Sequence, residues 1–128
     1  MKPKMIWANF VVDDLDRTTD FYKALGFKFN GKSDELTSFL FGENDFVINF
    51  FLKDFLFKNT KVNISNQQES NEIIFSLSAE TREDVDQWVD AVRNAGGMIL
   101  SEAEEFGDGF YGCVFSDPDG HKFNVFMM

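Results

Sequence analysis

The order of elements is written twice in this chain, and that repetition constrains the fold more than any single motif. Ile6 to Val12 alternates as a strand, with Ile6, Ala8, Phe10 and Val12 on one face and Trp7, Asn9 and Val11 on the other. Asp13 and Asp14 follow, carboxylates suited to a helix N-terminus. The helix runs to about Leu25, with Leu15, Thr19, Tyr22 and Leu25 near helical spacing, and Gly26 stops it. The same signals return 66 to 70 residues on. Glu72 to Ala79 reads as a strand, Thr81 caps a helix with Asp84 at the capping-box position, and Val85, Trp88, Val89 and Val92 make its buried stripe before Gly96-Gly97. A repeat of this kind is a duplication within a domain rather than a solenoid.

Short strands follow each helix. In the first half they are Phe27 to Phe29, Leu36 to Phe41 and Phe46 to Leu52, with Asn30-Gly31 as a hairpin-type turn and Gly42 to Asp45 as a second turn. In the second half Met98 to Leu100 is a strand, Glu102 to Glu105 an acidic loop and Gly107-Asp108-Gly109 a turn. Gly112 to Phe115 then leads into Asp117-Pro118-Asp119-Gly120, where Pro118 presets a turn dihedral, Gly120 accepts a positive φ and the Asp side chains bond backbone amides. The last strand puts Phe123, Val125 and Met127 on one face, Asn124, Phe126 and Met128 on the other. Each half reads β-α-β-β-β. Lys53 to Ser70 has little periodicity and is expected as a linker, whose Phe55 and Phe57 could fold back over a cavity. The expectation is one α+β domain over 1–128, with modules at about 5–52 and 71–128 and a linker at 53–70.

Composition removes whole classes of partner. The net charge is −10, from 22 acidic and 12 basic residues, which disfavours nucleic acid or an anionic membrane and mildly favours a cationic or neutral ligand. No apolar run is long enough to span a bilayer and no signal-peptide core follows Met1-Lys2-Pro3-Lys4, so a cytoplasmic protein is expected. The one cysteine, Cys113, sits in an apolar strand with no histidine placed to activate it and reads as inert. Seventeen phenylalanines exceed ordinary use; most fill the core and a surplus could line a cavity.

Two motifs carry a family resemblance. The pattern from Asp14 to Phe27, D-L-D-R-x-x-D-F-Y-x-x-L-G-F, and the closing D-P-D-G-H from Asp117 to His121 resemble the vicinal oxygen chelate superfamily, which includes glyoxalase I, bleomycin-binding proteins, thiol transferases acting on fosfomycin and extradiol dioxygenases. The resemblance implies two βαβββ modules forming a curved mixed sheet around a cleft, with one helix per module on the outer face. It also implies where metal ligands would stand: Trp7 on the first strand, Asn49 on the fourth, Glu72 on the fifth and Asn124 on the last. Only Glu72 is a good donor to a transition metal, since amides bind zinc, nickel or iron weakly. No metal and no cofactor are therefore expected.

The alternation of faces adds Asn9, Phe51 and Phe126 to a candidate ligand-binding set of Trp7, Asn9, Asn49, Phe51, Glu72, Asn124 and Phe126. Glu72 has two readings: a desolvated carboxylate acting as general base, or a solvated residue at the rim. Trp7 is either core or a stacking platform for a planar or cationic guest. His121 reads as bonding the turn rather than as catalytic. The expected function is metal-independent binding of an apolar, planar or cationic small molecule, in a homodimer. The alternatives are a glyoxalase-like lyase or isomerase using Glu72, and a vestigial cleft in a domain that serves assembly.

Overall fold

In a computed structural model the chain forms two compact units, Met1–Ser65 and Asn66–Met128, and the structure describes residues 1–66, 68–107 and 109–127. The first unit contains β1 (Ala8–Val12), α1 (Leu15–Ala24), β2 (Lys28–Lys32), β3 (Leu36–Phe41), β4 (Phe46–Leu52) and α2 (Lys53–Thr60). The second contains β5 (Phe75–Ala79), α3 (Arg82–Ala95), β6 (Met98–Glu105), β7 (Tyr111–Ser116) and β8 (Lys122–Met127). Each unit has one four-stranded sheet, in the orders β1-β4-β3-β2 and β5-β8-β7-β6. In both, the first strand pairs parallel with the last and the rest is antiparallel. The expected α+β class and the doubled βαβββ order are both present.

The first core is aromatic. Leu15, Thr18, Thr19, Phe21 and Tyr22 are the buried face of α1. Tyr22, fully buried, stacks on Phe50 with ring centroids 4.6 Å apart and meets Phe39 and Phe41 at 5.6 and 5.8 Å. Such contacts contribute roughly 0.5–1.5 kcal/mol each beyond the area they bury. Thr19 Oγ1 donates to the Leu15 carbonyl (2.6 Å) and pairs with Thr37 Oγ1 (2.7 Å), so this buried hydroxyl has partners from both α1 and β3. Asp14 caps the helix by accepting from the Arg17 amide at 3.0 Å.

In the second unit Val85, Val89 and Val92 of α3 face a sheet whose buried side chains include Phe115, Phe123 and Val125. Trp88 stacks on Phe115 at 5.9 Å, and Phe115 on Phe123 at 5.2 Å. Thr81 and Asp84 form a reciprocal capping box, and Gly96 ends the helix at φ 96°.

Several boundaries differ from the sequence reading. β1 begins at Ala8 and β5 at Phe75, because the parallel ladders start with Ala8↔Ile48 and Phe75↔Phe123. Ile6, Trp7, Ile73 and Ile74, apolar enough to read as strand, have no ladder partners and are more than half exposed. Asn30-Gly31 is not a turn. It lies inside β2 at a break in register, where Gly31 at φ 125° supplies the bulge, and the chain reverses instead at Ser33–Glu35. Glu102 and Glu105 belong to β6, held by ion pairs from Arg93 and Arg82 of α3, rather than to a loop. The stretch read as linker opens with α2, a helix with one buried side chain, Leu56, and therefore no apolar stripe. It packs on β4 and β1, with Phe55 half-buried and Phe57 exposed. The turn at Gly107-Asp108-Gly109 falls partly outside the described residues, as does the placement of Met128.

Candidate functional site

Each sheet has one face covered by its helix, and the candidate residues belong to the other. On β1, Ala8, Phe10 and Val12 share the core side, which leaves Asn9 and Val11 opposite. Asn9 is the Cα partner of Asn49, Asn49 of Ser38, and Ser38 of Gly31. Directly paired residues project to the same face. The bulge at Asn30 then lets its Nδ2 donate to Ser38 Oγ at 3.1 Å. The result is a polar row, Asn9–Asn49–Ser38–Asn30, crossing all four strands. Asn49 is half-buried, Ser38 buried, and Asn9 and Asn30 exposed. Phe51, two residues beyond Asn49 on the same side of β4, is buried.

The second unit has a partial counterpart, with one amide and with Val114 interrupting the polar line. Ser76 pairs with Asn124, Asn124 with Val114 and Val114 with Ser101. Ser76 Oγ donates to Asn124 Oδ1 at 2.5 Å, so one lone pair of that amide is taken while its NH₂ is a donor. By register Asn49 and Asn124 occupy equivalent places, and Asn9 corresponds to Ser76. Counting back two residues, Trp7 corresponds to Ile74. Glu72 lies two residues further out, in a bend ahead of β5, and is exposed. Phe126, on the same face of β8 as Asn124, contacts Phe106 and Phe110.

The structure thus brings together Asn9 with Asn49 in one unit and Asn124 with Phe126 in the other. Trp7 and Glu72 stand outside their strands. Sequence reasoning missed Asn30, Ser38, Phe106 and Phe110; alternation along the fifth strand already puts Ser76 on the open face. Asn30 and Ser38 could have been found only by knowing the β2 bulge and the β3–β4 register.

Other titratable groups have structural work. His121 is buried, with Nδ1 2.7 Å from Asp117 Oδ2, while Asp117 Oδ1 accepts from the amides of Asp119 (3.0 Å) and His121 (2.9 Å). It bonds the turn, as the sequence suggested. Burial pushes the Cys113 thiol up to about 11, which keeps it protonated and unreactive. The Tyr111 hydroxyl donates to Asp86 at 2.6 Å on the helix side, a bond that raises its pKa. An open depression of about 360 Å³ at the start of α1 is lined by Asp13, Asp14, Asp16, Lys32 and Asp34 among others, away from the polar row.

A transition metal does not fit the donors. The Trp7 indole offers no lone pair to a cation, Asn49 and Asn124 offer amides, and Asn124 Oδ1 already accepts from Ser76. Among the described residues no group of three or more His, Cys, Asp or Glu is placed to hold a metal ion.

Comparison with known proteins bears on the whole chain. The family model for the Glyoxalase/Bleomycin resistance protein/Dioxygenase superfamily matches residues 4–125. Among solved structures, a hypothetical protein from S. aureus is 33% identical with a TM-score of 0.86, covering 100% of this chain and 96% of its own. A glyoxalase-related enzyme from Fulvimarina pelagi is 19% identical at 0.84, covering 98% and 89%. A fosfomycin resistance protein from Mesorhizobium loti is 18% identical at 0.71, covering 100% and 94%; likeness at this level speaks to fold alone. None of the curated proteins matches the chain.

Proposed function

Because the chain belongs to the Glyoxalase/Bleomycin resistance protein/Dioxygenase superfamily, we propose that it binds a small molecule without a metal, using amide rows on the open faces of its sheets. The observation that carries this reading is the equivalence of Asn49 and Asn124 in the two registers. A carboxamide both donates and accepts, so it orients a ligand well. It is a poor Lewis-acid holder and no general base. In the first unit Asn9, Asn49, Ser38 and Asn30 form the template, with Phe51 beside it. In the second, Asn124 and Phe126 do. Trp7 and Glu72, at the approaches to β1 and β5, complete the proposed set.

The test has two parts. Metal content is measured on untagged protein from metal-supplemented cells, where the expectation is no stoichiometric nickel, zinc, manganese or iron. A thermal-shift screen of neutral, planar and cationic compounds follows, with Asn49→Leu and Asn124→Leu as controls. Loss of one ligand hydrogen bond should weaken binding by about tenfold, from roughly 1 kcal/mol or a little more. Stoichiometric metal, or a ligand indifferent to both amides, overturns the proposal. An enzymatic reading built on Glu72 has no structural observation in its favour, since that carboxylate is exposed and off the strand.

A homodimer belongs to the same proposal. Ile6, Trp7, Ile73 and Ile74 are 52–80% exposed, and a second copy of the chain is the proposed cover. Sedimentation should show a dimer that Ile6→Ser with Ile74→Ser dissociates. Among the described residues no helix is long and apolar enough to cross a membrane, and a cytoplasmic location is proposed.

A further inference from the structure

The open face of β6, β7 and β8 carries a cluster that extends outward from Phe126. Glu104, Gly112 and Phe126 are Cα partners across three adjacent strands. Glu104 and Phe126 therefore stand on the same side, about 10 Å apart as two strand spacings, with a glycine between them. That gap is filled from the β6–β7 connection. A Cβ built on Gly112 would lie 3.0 Å from Phe106 Cζ and 3.1 Å from Cε1, so the Phe106 ring lies over bare backbone. Phe106 meets Phe126 edge to face at 4.7 Å, and Phe110 lies 5.3 Å from Phe126, tilted by 41°. The Phe106 amide donates to the Phe110 carbonyl at 3.0 Å, which ties the two outer residues together. These two phenylalanines remain 41% and 40% exposed.

The charge beside this cluster is specific. Of the β6 carboxylates, Glu102 is paired with Arg93 and Glu105 with Arg82, both reaching toward α3. Glu104 points to the opposite face and has no cationic partner among the described residues. The cluster thus has exposed aromatic surface and one unneutralised carboxylate next to it, on a chain of net charge −10. Aromatic faces attract cations through the ring quadrupole, and a nearby carboxylate adds a Coulomb term.

We propose that Glu104, Phe106, Phe110 and Phe126 form a subsite for a planar organic cation, whose ring system lies on the phenylalanines while its charge faces Glu104. The proposal rests on the binding reading above and names its ligand class.

The full-length chain is titrated near neutral pH with proflavine, a planar cation, and with acridine, a neutral molecule of the same ring system. Proflavine should bind about tenfold or more tightly than acridine, and added salt should narrow that gap. Glu104→Gln, an isosteric change at an exposed position, should abolish the gap. Phe106→Leu should weaken both ligands. Equal affinity for the two probes, a gap that survives Glu104→Gln, or no proflavine binding overturns the subsite. So does a dimer that Phe106→Ser dissociates, since a second copy would then be the occupant. Asn49→Leu and Asn124→Leu separate the two levels of argument. A ligand that loses affinity there but not in Glu104→Gln upholds the amide rows and overturns this subsite.

Discussion

Replacing Gly112 by alanine should destabilise the second unit through its backbone rather than through side-chain packing. A Cβ at this position would lie 2.4 Å from the Val125 carbonyl oxygen. Ordinary contact is well beyond 3 Å, so β7 and β8 must part by roughly half an ångström or more, one pair in from the end of the antiparallel ladder, where Gly112 faces Phe126. The Phe106 ring, the other neighbour, can swing aside cheaply because it is exposed; a backbone carbonyl cannot. Overpacking costs about 1–3 kcal/mol, and a weakened ladder bond adds about 1 kcal/mol, which gives a total of about 2–4 kcal/mol. Urea unfolding followed by fluorescence of Trp88, stacked on Phe115 in the same unit, would read this as a lower midpoint at unchanged slope. Removing the Phe106 ring in the same background should rescue little. If Gly112→Ala were within about 0.5 kcal/mol of the parent, or if Phe106→Leu restored full stability, the carbonyl contact would not be the controlling term.

Three further outcomes follow from particular groups. Cys113 should react with a thiol reagent only on unfolding. Its folded pKa of about 11 lies above the unfolded value, so the unfolded state releases its proton first. Stability should therefore fall as pH rises from about 9 to about 11, by on the order of 2–3 kcal/mol at most, and Cys113→Ala should flatten that slope in alkaline urea titrations. Thr81→Ala removes the hydroxyl that accepts from the Asp84 amide at 3.1 Å and should cost about 1 kcal/mol, with Thr81→Ser recovering most of it. Glu72→Gln should leave the thermal midpoint unchanged, as expected at an exposed position, where effects stay within about 0.5 kcal/mol. A rate for any lyase or isomerase substrate that disappears in this variant would instead place a base there.

What was legible in the sequence was local. Thr81 with Asp84, Gly26, Gly96 and the Asp117–Gly120 turn each act through neighbours a few residues away, so their chemistry is visible in a string of letters. The parity of Asn49 and Asn124 was legible for the same reason, since alternation along a strand needs no partner. Pairing across strands was not. Asn30-Gly31 is a hairpin signal when read alone; opposite Ser38 it is a bulge that aims an amide along the polar row. Glu102 and Glu105 looked like loop because the arginines that hold them lie on α3, nine and twenty-three residues away. The helix α2 was hidden because one buried leucine makes no stripe. Phe106 was one of many phenylalanines until Gly112 gave its ring a place to lie.

The parallel pairing of first and last strands also sets an order of assembly. Phe41 need only turn back on Phe46 to begin the β3–β4 hairpin. Ala8 must find Ile48, and Phe75 must find Phe123, forty and forty-eight residues on. The entropy of closing those loops is met before any contact rewards it. The β3–β4 and β7–β8 hairpins should thus nucleate early in each unit, while β1 and β5 dock last. Both are edge strands, so in hydrogen exchange they should also be first to fray. The open-face residues carried by the two late-docking strands, Asn9 on β1 and Ser76 on β5, would then be ordered only when folding of their unit is complete.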